Sequence, residues 1–257
     1  MWLLLIVNLA GKVAALVVCR ASPGTALALW FGPDALLAYH VFAHQAQGLV
    51  RSRRRFATAK REVWLTLDDG PDPEDTPRIL ALLAAHGAHA TFFVIGDKAA
   101  AHPTLIRTIV AGGHEVAHHT QTHPLKWFWC ASRATVRREL DAGLATLRAA
   151  GVEPTRFRSP AGIKNLWLAA ALRERGLTCI GWSARGLERW HRDPGSVATQ
   201  VLRFVRPGAI LLLHEGPGVP APIRVEAIRR TLDRLGEQGY RCVVPEAEQL
   251  TLKHSLL

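Results

Sequence analysis

The chain has 257 residues, 49% hydrophobic and 21% charged. That is enough for one large domain with an appendage, and too apolar for wholesale disorder. A formal net charge of +11 suggests an anionic partner, nucleic acid, a membrane surface or an acidic polymer; without aromatic–basic interleaving of the kind that stacks bases, nucleic acid ranks below membrane, and no nucleic-acid partner is expected. Cys19, Cys130, Cys179 and Cys242 lie far apart with no C-x-x-C spacing, which excludes a cysteine zinc site and argues against a disulfide framework. Each reads as a small buried hydrophobe, in keeping with a reducing compartment.

Residues 1–19 form an apolar run broken by Asn8 and Lys12, and a second, 25–43, is broken by Pro33, Asp34 and His40. Neither carries a cleavage signature, so a removed signal peptide is not expected. A central Lys costs about 2.5–3.5 kcal/mol on insertion scales, and each Leu, Ile or Val returns about 0.3–0.6. The first run can therefore insert, with Lys12 facing a partner helix or snorkelling. Asp34 makes the second a poorer span, better suited to the return limb of a hairpin or an interfacial helix. Residues 1–50 are thus read as a membrane anchor of one or two helices, the alternative being a buried helical pair packed on the domain. Arg51, Arg53, Arg54, Arg55, Lys60 and Arg61 form a basic linker over 51–61. Their charge puts the following domain, 62–257, on the cytoplasmic face of a bacterial-type inner membrane; a periplasmic or extracellular face is the alternative. Nothing in the sequence fixes an oligomeric state.

From residue 62 short apolar runs alternate with helical patterns. Strands are predicted at 63–67, 90–95, 115–118, 156–158, 178–182, 209–213 and 241–244, and helices at 77–86, 98–111, 133–150, 166–175, 194–205 and 223–238. Several helices stop near Gly87, Gly112, Gly151, Gly176 and Gly239. Such alternation predicts an α/β fold with a parallel sheet, open or closed into a barrel. Barrel chemistry sits at the C-terminal ends of strands. Asp68, Asp69, His119, His123, Arg158, Trp182 and His214 all fall just past predicted strand ends.

The adjacent carboxylates Asp68 and Asp69 precede a Gly70-Pro71 turn. As turn residues alone they would be unremarked, but at the end of an apolar strand they read as the mouth of a site. His119-Thr120-Gln121-Thr122-His123 supplies two imidazoles four residues apart, although His114 and His118 lie close by. One carboxylate and two imidazoles can hold a zinc with one position open, leaving the second carboxylate as a base. Arg158, in Arg158-Ser159-Pro160-Ala161-Gly162, reads either as a solvated Arg or as one that holds a carboxylate ionised and in place. His214 reads as a satisfied strand-exit histidine or a general acid.

In this order, Thr66-Leu67-Asp68-Asp69-Gly70, the His119–His123 segment, Arg158–Gly162 and Leu211-Leu212-Leu213-His214 resemble the motifs of the polysaccharide deacetylases, carbohydrate esterase family 4 or NodB-homology domain. The resemblance spans roughly residues 62–250. It implies a distorted (β/α) barrel of about seven strands and a metal-dependent hydrolase that removes N-acetyl or similar N-acyl groups from amino sugars. By motif position it implies Asp69, His119 and His123 as ligands of Zn2+ or another divalent metal such as Co2+. Asp68 would be the base, His214 the acid, Arg158 the tether of Asp68, and the Ala161 backbone N–H part of an oxyanion hole. Three positions depart from the family: His118 stands where Asn is common, Ala161 replaces an aromatic, and Arg185 replaces an Asp that pairs with the catalytic His. A cation there would lower the His214 pKa unless Glu188 compensates. A non-catalytic, metal-retaining carbohydrate-binding relative is therefore the alternative. Trp182 and Trp190 are candidates for a substrate groove, and Trp127, Trp129 and Trp167 are further stacking faces. The expected substrate is an amino-sugar polysaccharide or a lipid-linked glycan.

Overall fold

Side chains along Glu62–Gly70 alternate between two environments, and this alternation organises the domain. In the computed structural model, which describes residues 2–191 and 193–251, the segment is strand β1. Val63, Leu65 and Leu67 pack against an outer layer of helices. Trp64 belongs to a second cluster, with Phe93, Ala117, Ile210 and Leu212, inside the curve of the sheet. By the same parity Thr66 and Asp68 face inward, so the inner file runs from an aromatic floor to a carboxylate at the mouth.

The chain continues through α3 (Asp75–Ala85), β2 (Ala90–Val94), α4 (Gly96–Ala101), α5 (Pro103–Ala111), β3 (Glu115–His118), α6 (Arg133–Ala149), β4 (Arg156–Phe157) and α7 (Leu168–Glu174). It is completed by β5 (Thr178–Cys179), β6 (Ala184–Arg185), α8 (Pro194–Leu202), β7 (Ile210–His214), α9 (Arg224–Glu237) and β8 (Arg241–Cys242). The order β5-β4-β3-β2-β1-β7-β6 makes a curled half-barrel of seven strands, with β8 added on β1. Every pairing is parallel. The predicted strand 178–182 shortens to β5, which pairs with β4; β6, past Trp182, is a further strand that pairs with β7. The predicted helix 98–111 breaks at His102, because the residue before Pro103 is driven out of the helical region.

The stretch read as a linker is built into the sheet's open edge. Arg53 N–H donates to the Cys179 carbonyl at 2.8 Å, and its carbonyl accepts from Gly181 N–H at 2.7 Å. Arg55 bridges to Ala209. An edge strand offers unpaired backbone groups, and this segment covers them. The C-terminal stretch 252–257 of the predicted domain lies outside the described residues.

Ahead of the domain, α1 (Trp2–Val18) and α2 (Pro23–Phe42) pack as a hairpin. Asp34 pairs with Lys12 at 3.2 Å and accepts a hydrogen bond from Asn8, so Lys12 does face a partner helix. Among the described residues no helix is long and apolar enough to cross a membrane, which corrects the expectation of a transmembrane anchor. α1 stops at 17 residues, and Pro33, Asp34 and His40 dilute α2. The hairpin is tied to the domain at its end. Buried Lys164 donates from Nζ to the carbonyls of Ala43 (2.9 Å) and His44 (3.1 Å), filling acceptors that a helix C-terminus leaves open. His44 stacks on Trp182 with centroids 4.7 Å apart.

Candidate active site

Consecutive strand residues point to opposite faces, so two adjacent carboxylates should not share a pocket. Here they do, because the β1–β2 register shifts between Asp68 and Gly70 and Asp69 adopts φ 73°. A bulge with a left-handed residue re-aims the second side chain toward the mouth. Two contacts hold it there. Lys98 Nζ donates to the Asp69 carbonyl at 2.5 Å. Gly70 lies so close to Glu215 that a Cβ would fall 1.6 Å from its Oε1.

The imidazoles come from the end of β3. His119 donates from Nδ1 to the Arg158 carbonyl at 2.7 Å, which fixes the tautomer and leaves Nε2 free as a ligand. Its neighbour His118 points outward: its Nδ1 accepts from Thr120 N–H and its Nε2 donates to the Leu140 carbonyl, each at 2.9 Å. Buried Glu139 shapes the next turn, accepting from the backbone N–H groups of Gln121 (3.1 Å) and Thr122 (2.9 Å) and from Thr122 Oγ1 (2.9 Å). His123, at φ 53°, is thereby turned back to Asp69. A tetrahedral zinc with arms of about 2.05 Å has edges of about 3.3 Å. Asp69 Oδ1 lies 3.5 Å from His119 Nε2 and 3.3 Å from His123 Nε2, so these three residues fit such an ion and His114 and His118 do not belong to the set.

Asp68 lies beside this cluster, its Oδ2 3.8 Å from His119 Nε2. Arg158 is fully buried and donates from Nη1 to Asp68 Oδ1 at 2.6 Å and to Thr66 Oγ1 at 2.8 Å. Its Nη2 reaches the Gly181 carbonyl at 3.0 Å, and its guanidinium lies over the Phe93 ring at 4.1 Å. The reading of a solvated Arg is excluded. Ala161 lines the same pocket at φ 50°, and the bonds closing its turn, Gly162 N–H to Ser159 and Ile163 N–H to Pro160, leave its own N–H out. Opposite, His214 is paired with Asp68 in the β1–β7 register.

These motifs place the chain among known proteins. Residues 56–180 match the family model described as polysaccharide deacetylase. The chain is 39% identical over 203 residues to a chitooligosaccharide deacetylase of Sinorhizobium fredii, covering 74% of this chain and 93% of that protein. It is 34% identical over 200 residues to a peptidoglycan-N-acetylglucosamine deacetylase of Bacillus cereus, covering 74% and 88%. The chain belongs to the polysaccharide deacetylase family. The fold agrees: a peptidoglycan N-acetylglucosamine deacetylase solved with 4-naphthalen-1-yl-N-oxidanyl-benzamide superposes with a TM-score of 0.69 at 28% identity, over 74% of this chain and 88% of that one. With the family comes the reaction class, hydrolysis of the amide of N-acetyl amino sugars.

The electrostatics of this deacetylase suit its ligands. Burial pushes the His123 imidazole down to about 4, so it is neutral and able to bind metal. Burial alone would raise the Asp69 carboxyl, but the imidazoles of His119, His123 and His214 around it hold it well below the usual range. The position left in question by Arg185 is resolved by Glu188. Its Oε1 lies 3.0 Å from His214 Nδ1 and 2.9 Å from the His214 backbone N–H. Burial opposes the His214 charge, yet Glu188, helped by Asp68 and Asp69, pushes the imidazole up to about 9. Leu187 at φ 56° swings Glu188 inward while Arg185 stays exposed. The motive for a non-catalytic relative is thereby removed.

Of the aromatic candidates, only Trp182 and Trp190 line the pocket. Trp190 is 83% exposed and offers a free face. Trp182 is 3% exposed and its face is covered by His44, so it is a wall and not a stacking platform. Trp129 packs against Phe42, and Trp167 packs on the core beside α7. Lys98, Glu139 and Glu215 carry no signal in the sequence. Each acts on a loop from another element.

Proposed function

We propose that this protein is a divalent-metal-dependent N-deacetylase of amino-sugar glycans, with Asp69, His119 and His123 holding the metal, Zn2+ or a related ion such as Co2+. When bound, the metal supplies Lewis acidity to the amide carbonyl and the attacking water. Asp68, restrained by Arg158, accepts the proton of that water. The Ala161 N–H faces the oxyanion. His214, held protonated by Glu188, gives its proton to the departing amine, and acetate or another small acid leaves. One observation carries the reading: a complete ligand triad, a restrained carboxylate and a Glu-paired histidine line one pocket. The experiment is acetate release from N-acetylglucosamine oligomers by metal-stripped and zinc-reconstituted protein. Turnover restored by the metal is expected; no turnover with zinc bound overturns the reading.

The same proposal puts the enzyme at a membrane surface. On the hairpin Leu9, Leu16, Val17, Leu27, Phe31 and Leu36 are 56–78% exposed, while Lys12 and Asp34 neutralise each other between the helices. Such a hairpin suits interfacial burial. Arg51, Arg53, Arg54 and Arg55 at its base suit the anionic cytoplasmic leaflet, which favours a lipid-linked glycan; a periplasmic or extracellular face would favour peptidoglycan or an exported polysaccharide. Vesicle flotation tests the attachment, with co-flotation expected and recovery of the protein in the soluble fraction against it.

A further inference from the structure

A second concavity opens beside the catalytic pocket, and the two share Trp182, Arg185 and Leu187. Its walls carry Arg54, Arg55, Arg185, Arg203 and Arg206, and no carboxylate. Some of the chain's other arginines are paired: Arg148, Arg156, Arg175 and Arg229 each meet a carboxylate within 2.6–2.7 Å. Among the described residues none of the five groove arginines has an acidic partner within ion-pair distance. Of their guanidinium groups only that of Arg54 makes a hydrogen bond among the described residues, from Nε to the Trp182 carbonyl at 3.2 Å. Five like charges facing one space repel, and among the described residues no carboxylate pairs with them. His44 on the same wall records the field. Burial first, then Arg185 and Arg54, push its imidazole down to about 4, so it adds no further charge.

We propose that this groove is a phosphate subsite that takes a diphosphate attached to C1 of the same amino sugar whose acetamido group enters the catalytic pocket. The inference rests on the deacetylase reading above. Guanidinium forks match phosphate oxygens two at a time. In a 2-acetamido sugar, C1 is bonded to the carbon that bears the nitrogen. A C1 substituent therefore leaves the pocket next to the amide, where Arg185 forms the shared wall. The groove, about 710 Å³ against about 240 Å³ for the pocket, has room for a diphosphate and the first carbons of its aglycone. Phe204, 49% exposed, lines it, and His44, at the end of the apolar hairpin, borders it.

The test compares two substrates with one tail: N-acetylglucosaminyl farnesyl diphosphate and the neutral farnesyl N-acetylglucosaminide. The zinc-loaded enzyme is expected to favour the diphosphate at least tenfold in kcat/KM, about what one charge-assisted hydrogen bond supplies. The preference resides in KM and shrinks as salt rises. Arg203→Glu with Arg206→Glu removes it, and Arg203→Lys with Arg206→Lys, which keeps the charge, retains part of it. Equal kcat/KM for both substrates, or a preference that survives charge reversal, overturns the proposal. So does a neutral glycoside raised to the same rate by phosphatidylglycerol vesicles, since the groove would then read a lipid headgroup. Turnover of neither substrate with zinc bound defeats the deacetylase reading and this inference with it.

Discussion

Replacing Glu188 by Gln keeps the shape of the His214 pair and removes its charge. The pair is short and Glu188 is almost fully buried, with the His214 side chain 30% exposed. With Asp68 and Asp69 contributing, it lifts the imidazole from 6.5 to about 9. At about 1.4 kcal/mol per tenfold that is roughly 3 kcal/mol, discounted to roughly 2 for the exposed part of the ring and the share of the two aspartates. The alkaline limb of kcat should therefore fall by about one and a half pH units in the Glu188→Gln variant. A protonated acid is required, so the loss grows with pH: about fifteenfold at pH 9 and less than twofold at pH 6.5. Stability follows the same sign. A raised histidine stabilises the fold fully below pH 6.5, and that contribution is lost as pH rises through about 9. The difference in Tm between wild type and variant should therefore close by pH 10. Acetate release from pH 5.5 to 10 with melts at each pH reads both. A loss equal at every pH would mean that Glu188 only shapes the loop, and an unmoved limb would mean that His214 is not the acid.

Three further outcomes follow from the supports of the site. Glu139→Ala frees Gln121 and Thr122, and zinc affinity measured by competition with a chelator should fall about tenfold or more; an unchanged affinity contradicts the anchoring role. Gly70→Ala drives a methyl into Glu215 and should cost roughly 2 kcal/mol or more in chemical denaturation, with partial recovery when Glu215→Gly is added; a neutral effect contradicts the close approach. Lys164→Met leaves the Ala43 and His44 carbonyls unpaired, so limited proteolysis near residue 43 should quicken while the domain's melting changes little; equal cleavage rates contradict the tether.

The strands and the candidate ligand set were readable because their signals are local. β1 and β7 are short apolar runs that end on Asp68 and His214, and the His119–His123 spacing states its chemistry in five residues. What the sequence did not reveal depends on partners distant in the chain. Glu139 on α6 sets the His123 turn, and Lys98 on α4 and Glu215 just past β7 hold the Asp69 bulge from elements far from it in the chain. Trp182 lines the pocket as expected, but that His44 of the hairpin covers its face has no local signal. Arg185 looked like a fault in the acid half, since only the left-handed turn at Leu187 shows that Glu188 replaces the missing carboxylate. The basic stretch read as a tether because edge pairing by Arg53 and Arg55 has no periodicity. Hydropathy suggested a membrane span in the first fifty residues, whereas Lys12 and Asp34 pair within a shorter hairpin.

The division of labour between the adjacent carboxylates is the central claim, and one measurement reaches it. Zinc content and acetate release are determined together for wild type, Asp68→Asn and Asp69→Asn. Asp68→Asn should retain the metal and lose turnover by about a thousandfold or more, whereas Asp69→Asn should lose the metal itself. Zinc lost from Asp68→Asn and kept in Asp69→Asn, or turnover preserved without Asp68, would contradict the account.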